Sequence, residues 1–276
     1  MMTNWKEAIC LNNHAVALLE GGGGAANDGA IVQSLQDAVV LLQHAIQQEK
    51  MCNDVFPMQG TQNEPCGIDT DAYNVTVTFA SKRIRCFQEP DFFLFDHAFL
   101  LPEFEDASRT GFFSNGRDRN SWIELQSSVV LFNLGLTLHR RALLHRQYEQ
   151  QISQDCDVVL LQETQVLFFK SKLLYTMSNN VLVEHGEKSD QNSNDLFPST
   201  RFALRLGIAN NMAHIAFFME DPKQGDVAPI QQVAQLIGEA SYKKAAMTLP
   251  FEILSGIMMN ITSWNQSLSH WLAAAA

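Results

Sequence analysis

The sequence predicts an all-α-dominated protein in which paired helices are interrupted by one loop-rich, partly β insertion. Three observations support this. Apolar residues recur on a 3.6-residue period through most of the chain, the spacing of one helix face. Residues 51–121 break that period, with Pro57, Pro65, Pro90 and Pro102 set among repeated Gly, Asn and Asp. A spaced asparagine pattern then recurs in three of the helical stretches and relates them to one another. The chain divides accordingly into an N-terminal helical hairpin at 1–50, the insertion at 51–121, and a repeat-like helical region at 122–276. A polar linker near 186–199, GEKSDQNSNDLFPS, is expected to be mobile.

The first hairpin comprises helices at 5–20 and 30–50. The first carries Leu11, His14, Ala15, Leu18 and Leu19 on one period. The second carries Ile31, Leu35, Ala38, Leu42 and Ala45, with Gln33, Gln36, Asp37, Gln43 and Gln47 on polar surface. Gly21 to Gly24 end the first helix, because glycine destabilises a helix interior and readily takes the left-handed conformation. In the insertion, YNVTVTF at 73–79 and DFFLFDHAFLL at 91–101 read as strands. Together they form either a small hairpin or an extended wrap across the helices. An isolated two-stranded hairpin is marginal, so the phenylalanines must pack on something else. Helical periodicity returns at 122–151, apolar nearly all round in its first half, as expected of a central helix with neighbours on several faces. Further helices are predicted at 157–180, 199–219, 228–247 and 250–272, the last with Pro250 near its start.

Composition limits the functions available. Nineteen basic against thirty acidic residues give a net charge of −11, and only 18% of residues are charged. That is below the roughly 25% of an ordinary globular domain. Amides fill part of the gap, 21 Gln and 18 Asn. A broad nucleic-acid surface is not expected, since phosphate neutralisation needs clustered Lys and Arg. The first residues lack a basic stretch followed by an apolar core, so no secretory signal is read there. The charge-free end from Ile253 onward holds Ser, Asn, Thr, Gln and His, which would be costly in hydrocarbon, so no transmembrane span is expected. A location inside the cell, in the cytoplasm, is therefore expected, with the nucleus left open. The five cysteines form no CxxC pair and read as free thiols, and the sequons at Asn74, Asn260 and Asn265 read as inert.

The repeat is the most informative pattern. LNNHAVALL, LFNLGLTLH and ANNMAHIAF align on Asn13, Asn133 and Asn211. Ala15, Gly135 and Ala213 fall two positions later, and Leu11, Leu131 and Ala209 two earlier. Leu18, Leu138 and Ala216 share the position five beyond the Asn. A small residue on the packed face lets a neighbouring helix approach closely, and the flanking apolar residues complete the seam. Paired helices of this kind need stacked neighbours to cover their apolar faces.

On these residues the chain resembles the tetratricopeptide-repeat family. Leu134-Gly135 and Met212-Ala213 match its first-helix pattern, His14-Ala15 less closely, while Ile31, Leu35 and Ala38 resemble its second helix. The resemblance covers roughly 8–48, 125–180 and 202–247. The aligned asparagines lie 120 and 78 residues apart, so long insertions separate the units. The resemblance implies a concave helical surface that binds peptides or partner proteins.

Chemistry-bearing residues are sparse. Gly21 to Gly24 follow a helix and lack a following Gly-Lys-Ser/Thr, so they do not read as a phosphate loop. No HExxH or Cys/His metal spacing occurs, and His14 and His214 read as buried or semi-buried on packed helices. Asp91, Asp96 and His97, with Glu103, Glu105 and Asp106 nearby, lack an activated nucleophile and read as a solvated insertion. No catalytic residue, cofactor or metal is therefore assigned. His139, Arg140, Arg141, His145 and Arg146 form the one dense basic group. A solvated helix end pairing with Glu149 or Asp155 is the first account of it, and a docking patch for an acidic peptide the second. In the second account Arg141 and Arg146 capture the partner. Phe92, Phe93, Phe95 and Phe99 are expected to pack onto the helices rather than to form a docking surface. The register of Asn13, Asn133 and Asn211 suits helix-to-helix hydrogen bonding first and capture of peptide backbone second. The resulting expectation is a non-enzymatic scaffold that binds a protein or peptide in a helical groove. A structural helical protein without a groove and an enzyme with an unrecognised site stand as alternatives.

Overall fold

The computed structural model describes residues 2–21, 25–55, 78–79, 94–102, 116–152, 158–186, 198–219, 228–242 and 249–275. The described chain is dominated by seven helices: α1 (Met2–Glu20), α2 (Ala25–Val55), α3 (Gly116–Ile152), α4 (Val158–Gly186), α5 (Pro198–Met219), α6 (Ala228–Tyr242) and α7 (Phe251–Ala275). Two two-residue strands, β1 (Thr78–Phe79) and β2 (Phe99–Leu100), pair antiparallel, Thr78 opposite Leu100 and Phe79 opposite Phe99. Residues 94–98 continue upstream of β2 without strand pairing. The rest of the predicted strand segments, and the linker at 187–197, lie outside the described residues.

Each helix packs against the next in sequence, α3 against α4 most extensively. In addition α1 touches α3 and α3 touches α5, so these three form one continuous layer. One apolar core runs through the molecule from Trp5 and Ile9 of α1 to Ile253 and Ile257 of α7. The predicted stripe of α2 is buried at all five positions, Ile31, Leu35, Ala38, Leu42 and Ala45, and its polar residues face solvent. From Trp122 to Thr137, α3 is buried on nearly every face, which its lack of polar periodicity foretold.

The helix ends differ from the sequence reading for identifiable reasons. The second helix begins at Ala25 and runs to Val55, and α3 begins at Gly116, so helix takes both margins of the stretch read as loop. Met51, Arg117 and Arg119 retain helix propensity while offering no apolar period to detect. The carbonyl of Pro250 accepts from the amides of Ile253 (3.1 Å) and Leu254 (3.3 Å), starting α7 where proline suits a helix entry. Gly21 closes α1 with a 3.0 Å bond to Ala17 O.

His14 departs from expectation, because it is exposed. The buried face of α1 is Trp5, Ala8, Ile9, Asn12, Ala15, Val16 and Leu19, and position 14 lies about 200° round the helix from position 12. Leu11 and Leu18 are half-buried at the margin. The small residue two positions after each aligned Asn does allow close approach. A Cβ on Gly135 would stand 3.0 Å from the Tyr175 ring of α4, and Ala15 and Ala213 are buried. Among the described residues no helix is long and apolar enough to cross a membrane.

Candidate functional site

Asn13 on α1, Asn133 on α3 and Asn211 on α5 converge on one extended stretch, residues 94–102. Each binds both main-chain groups of a single residue. Asn211 Oδ1 accepts from the Phe95 amide (3.1 Å) and its Nδ2 donates to Phe95 O (3.0 Å). Asn133 does the same to Phe99 (3.0 and 2.8 Å), and Asn13 to Leu101 (2.9 and 2.7 Å). A carboxamide carries an acceptor and a donor side by side, so it presents to a strand what a neighbouring strand would present. Asparagine in a helix interior is normally unfavourable because its side chain competes for the backbone. At these positions the amide is turned onto another piece of chain.

The register of the contacts follows from strand geometry. In an extended chain, alternate residues direct their N–H and C=O groups to the same edge, and the three clamped residues are all odd-numbered. The opposite edge is left for β1, which pairs at Phe99 and Leu100. Packed helices are about 8–10 Å apart and a strand rises about 3.3 Å per residue, so one helix step matches about three residues. Three is odd and would turn the wrong edge to the next helix. The observed steps are even instead: four residues from Asn211 to Asn133, then two from Asn133 to Asn13.

Asn12 closes the shorter step. It donates to Phe99 O (3.2 Å), and its Oδ1 accepts from Asn133 Nδ2 (2.9 Å). The main chain bound here is the protein's own. All three bind main chain, while Asn133 also bonds to α1 and Asn211 donates to Tyr175 Oη on α4 (3.1 Å). Asn260 of α7 donates to Asn210 (2.7 Å); its burial keeps that sequon inaccessible in the folded chain.

Side chains of the stretch fill the layer it crosses. Phe95 and Phe99 are buried and stack on each other with centroids 6.0 Å apart. Phe132 meets both edge-on, at 5.9 and 5.2 Å. Gly207 lies one turn before Asn211, and a Cβ there would stand 2.9 Å from the Phe95 ring, so the close seat of that ring requires glycine. Phe92 and Phe93 lie outside the described residues. Asp96 is buried rather than solvated, with the half-buried His97 3.9 Å from it. Asp91, Glu103, Glu105 and Asp106 lie outside the described residues.

Behind Asn211 runs a buried polar chain. Tyr175 Oη lies 3.4 Å from His139 Nδ1, and His139 Nε2 lies 2.9 Å from His214 Nδ1. If Tyr175 accepts from Asn211 and donates to His139 Nδ1, the His139 proton sits on Nε2 and is donated to His214 Nδ1. Burial pushes the His139 pKa down to about 3. It also holds His214 well below the usual histidine range, with His139 and Arg146 adding to the effect. Burial raises the Tyr175 phenol far above its ordinary value. The chain is therefore neutral at pH 7. His139 does not belong to a solvated basic group, as its sequence neighbours suggested. It shares the face of Phe132, Leu136 and Leu143 and packs against Phe168 of α4. Arg141 and Arg146 are half-buried. Among the described residues no three His, Cys, Asp or Glu side chains are grouped to hold a metal.

The chain matches no protein-family model, no curated protein and no solved structure. The functional reading therefore rests on the geometry alone. Sequence reasoning found Asn13, Asn133 and Asn211 by register. It missed Asn12 and Asn210, although both stand in visible Asn-Asn doublets, and it missed Tyr175 and Gly207, whose roles depend on contacts from other elements.

Proposed function

We propose that this protein is a non-enzymatic interaction scaffold of the tetratricopeptide-repeat-like type, in which α1, α3 and α5 line a groove for extended polypeptide. The observation that supports this is the set of three two-point asparagine contacts to main chain. Main-chain recognition is sequence-tolerant, and it fixes the direction and register of whatever lies in the groove. Apolar seats, such as the one between Gly207 and Phe132, then select side chains. Arg141 and Arg146 add a cationic flank suited to an acidic partner.

The burial of Phe95 and Phe99 favours a second reading, in which residues 94–102 are a permanent part of the core and the protein is structural. Affinity purification with mass spectrometry distinguishes the two readings, comparing wild type with Arg141→Glu/Arg146→Glu. The scaffold reading expects a reproducible protein partner whose recovery falls in the charge reversal while circular dichroism is unchanged. Absence of any reproducible partner contradicts it. A partner recovered equally by both removes the two arginines from the site.

A further inference from the structure

Residues 94–102 occupy the position that a bound peptide would take, yet they are covalently part of the connection between α2 and α3. We propose that this stretch is a resident ligand, displaced in trans by an extended segment of a partner protein. The segment would carry large apolar side chains, four apart, at the positions of Phe95 and Phe99, and a further one at that of Leu101. The proposal rests on the peptide-groove reading and adds its regulation.

Three features support displacement. On the stretch the three asparagines address only main-chain N–H and C=O groups, which any extended segment also presents. Each of the helices α1 to α7 also touches the next one directly. The connection is also far longer than its endpoints need. The helices it joins, α2 and α3, pack against each other, yet residues 56–115 separate them, where helix connections of two to eight residues are usual. Within the described structure, this added length lays residues 94–102 across three helices and places β1 on their outer edge.

The occupant in trans is a different protein rather than a second copy. Exchange of 94–102 between two copies breaks and remakes the same contacts, gains none, and loses the advantage of tethering, an effective concentration that falls below the roughly millimolar of a short linker as the connection lengthens. A foreign segment gives up no groove of its own. It succeeds where its apolar side chains fill the seats of Phe95, Phe99 and Leu101 more completely than the resident's do.

Fluorescence anisotropy with a labelled synthetic peptide of residues 91–104 tests this on the full-length chain. Phe95→Ser/Phe99→Ser weakens the resident, and this variant is expected to bind the peptide at least about tenfold tighter than wild type. Adding Asn133→Ala to it should abolish binding, and a scrambled peptide should not bind. A folded double variant that binds no better than wild type overturns the proposal. Should the double variant not fold, wild type with protease sites inserted at 85 and 108 replaces it. After cleavage, excess peptide should release the resident fragment on size exclusion with helical circular dichroism retained. A fragment that stays bound against excess peptide, with its Phe99 amide protected from exchange, overturns displacement while leaving the groove reading intact. Loss of helix on release overturns displacement and supports the structural reading. A doubled mass by light scattering, formed with loss of peptide uptake, makes a second copy the occupant and overturns the partner assignment.

Discussion

The inner face of α3 and the outer face of α4 invert the usual arrangement of side chains. Asn133, Thr137 and His139 are buried on α3, whereas Val166, Phe169, Leu173 and Met177 are exposed in a stripe along α4. The stripe follows helical spacing, yet its side chains make no directional demand, and their exposure costs little compared with an unsatisfied amide in the core. The inner polar groups are the reverse. Each would be expensive to bury alone, and each is matched to specific partners: Asn133 to Phe99 and Asn12, Thr137 to the Asn133 carbonyl, His139 to Tyr175 and His214. A buried polar face therefore specifies what must lie against it far more sharply than an exposed apolar one does.

The largest effect should come from breaking the inner face at its centre. Asn133→Ala removes the partner of Phe99 N, one of the two donors to Phe99 O and the donor to Asn12 Oδ1 together, and is expected to lower unfolding free energy by about 3–5 kcal/mol. Asn13→Ala, at the part-buried end, should lose about 1–2 kcal/mol by the same denaturant titration. An equal loss for the two variants would mean that burial does not scale the contact. Gly207→Ala should cost about 1–3 kcal/mol by forcing the Phe95 ring from its seat. Phe95→Leu should relieve part of that cost in the double variant.

The histidine pair adds a pH dependence with a definite sign. His139 is depressed in the folded state from 6.5 to about 3, so below pH 6.5 the unfolded chain binds the extra proton. Stability is then full above about pH 6.5 and is lost progressively as pH falls toward 3. For His139 alone the loss is about 1.4 kcal/mol at pH 5.5 relative to pH 8, with His214 acting in the same direction. His139→Gln should flatten the profile, and an unchanged profile would show that the ring is not held neutral. The smallest effect belongs to the outer face. Phe169→Ser or Leu173→Ser should change stability by no more than about 0.5 kcal/mol, and a larger loss would mean the stripe is covered.

How far the sequence could be read follows the same division. Amphipathic stretches such as α2 were legible to the residue because solvent on one side imprints a period. The three asparagines were legible because they recur in register. Their target was not, since a side chain that reads main chain leaves no complementary residue in its ligand. Only the extended, Phe-rich character of 91–101 was visible, and it supported a hairpin as well as a wrap. His139 was misread through its basic neighbours, although its spacing from Phe132, Leu136 and Leu143 already placed it on the packed face. Gly207 carried no signal, because its meaning lies in a ring brought to it from another part of the chain.

Residue-resolved amide hydrogen exchange by NMR tests the central claim most directly. If Asn211, Asn133 and Asn13 hold the main chain of 94–102, the amides of Phe95, Phe99 and Leu101 exchange orders of magnitude more slowly than a free peptide, with Phe99 the most protected of the three. In Asn133→Ala, protection at Phe99 should fall first. Exchange at free-peptide rates at all three amides in the folded wild type would contradict the account.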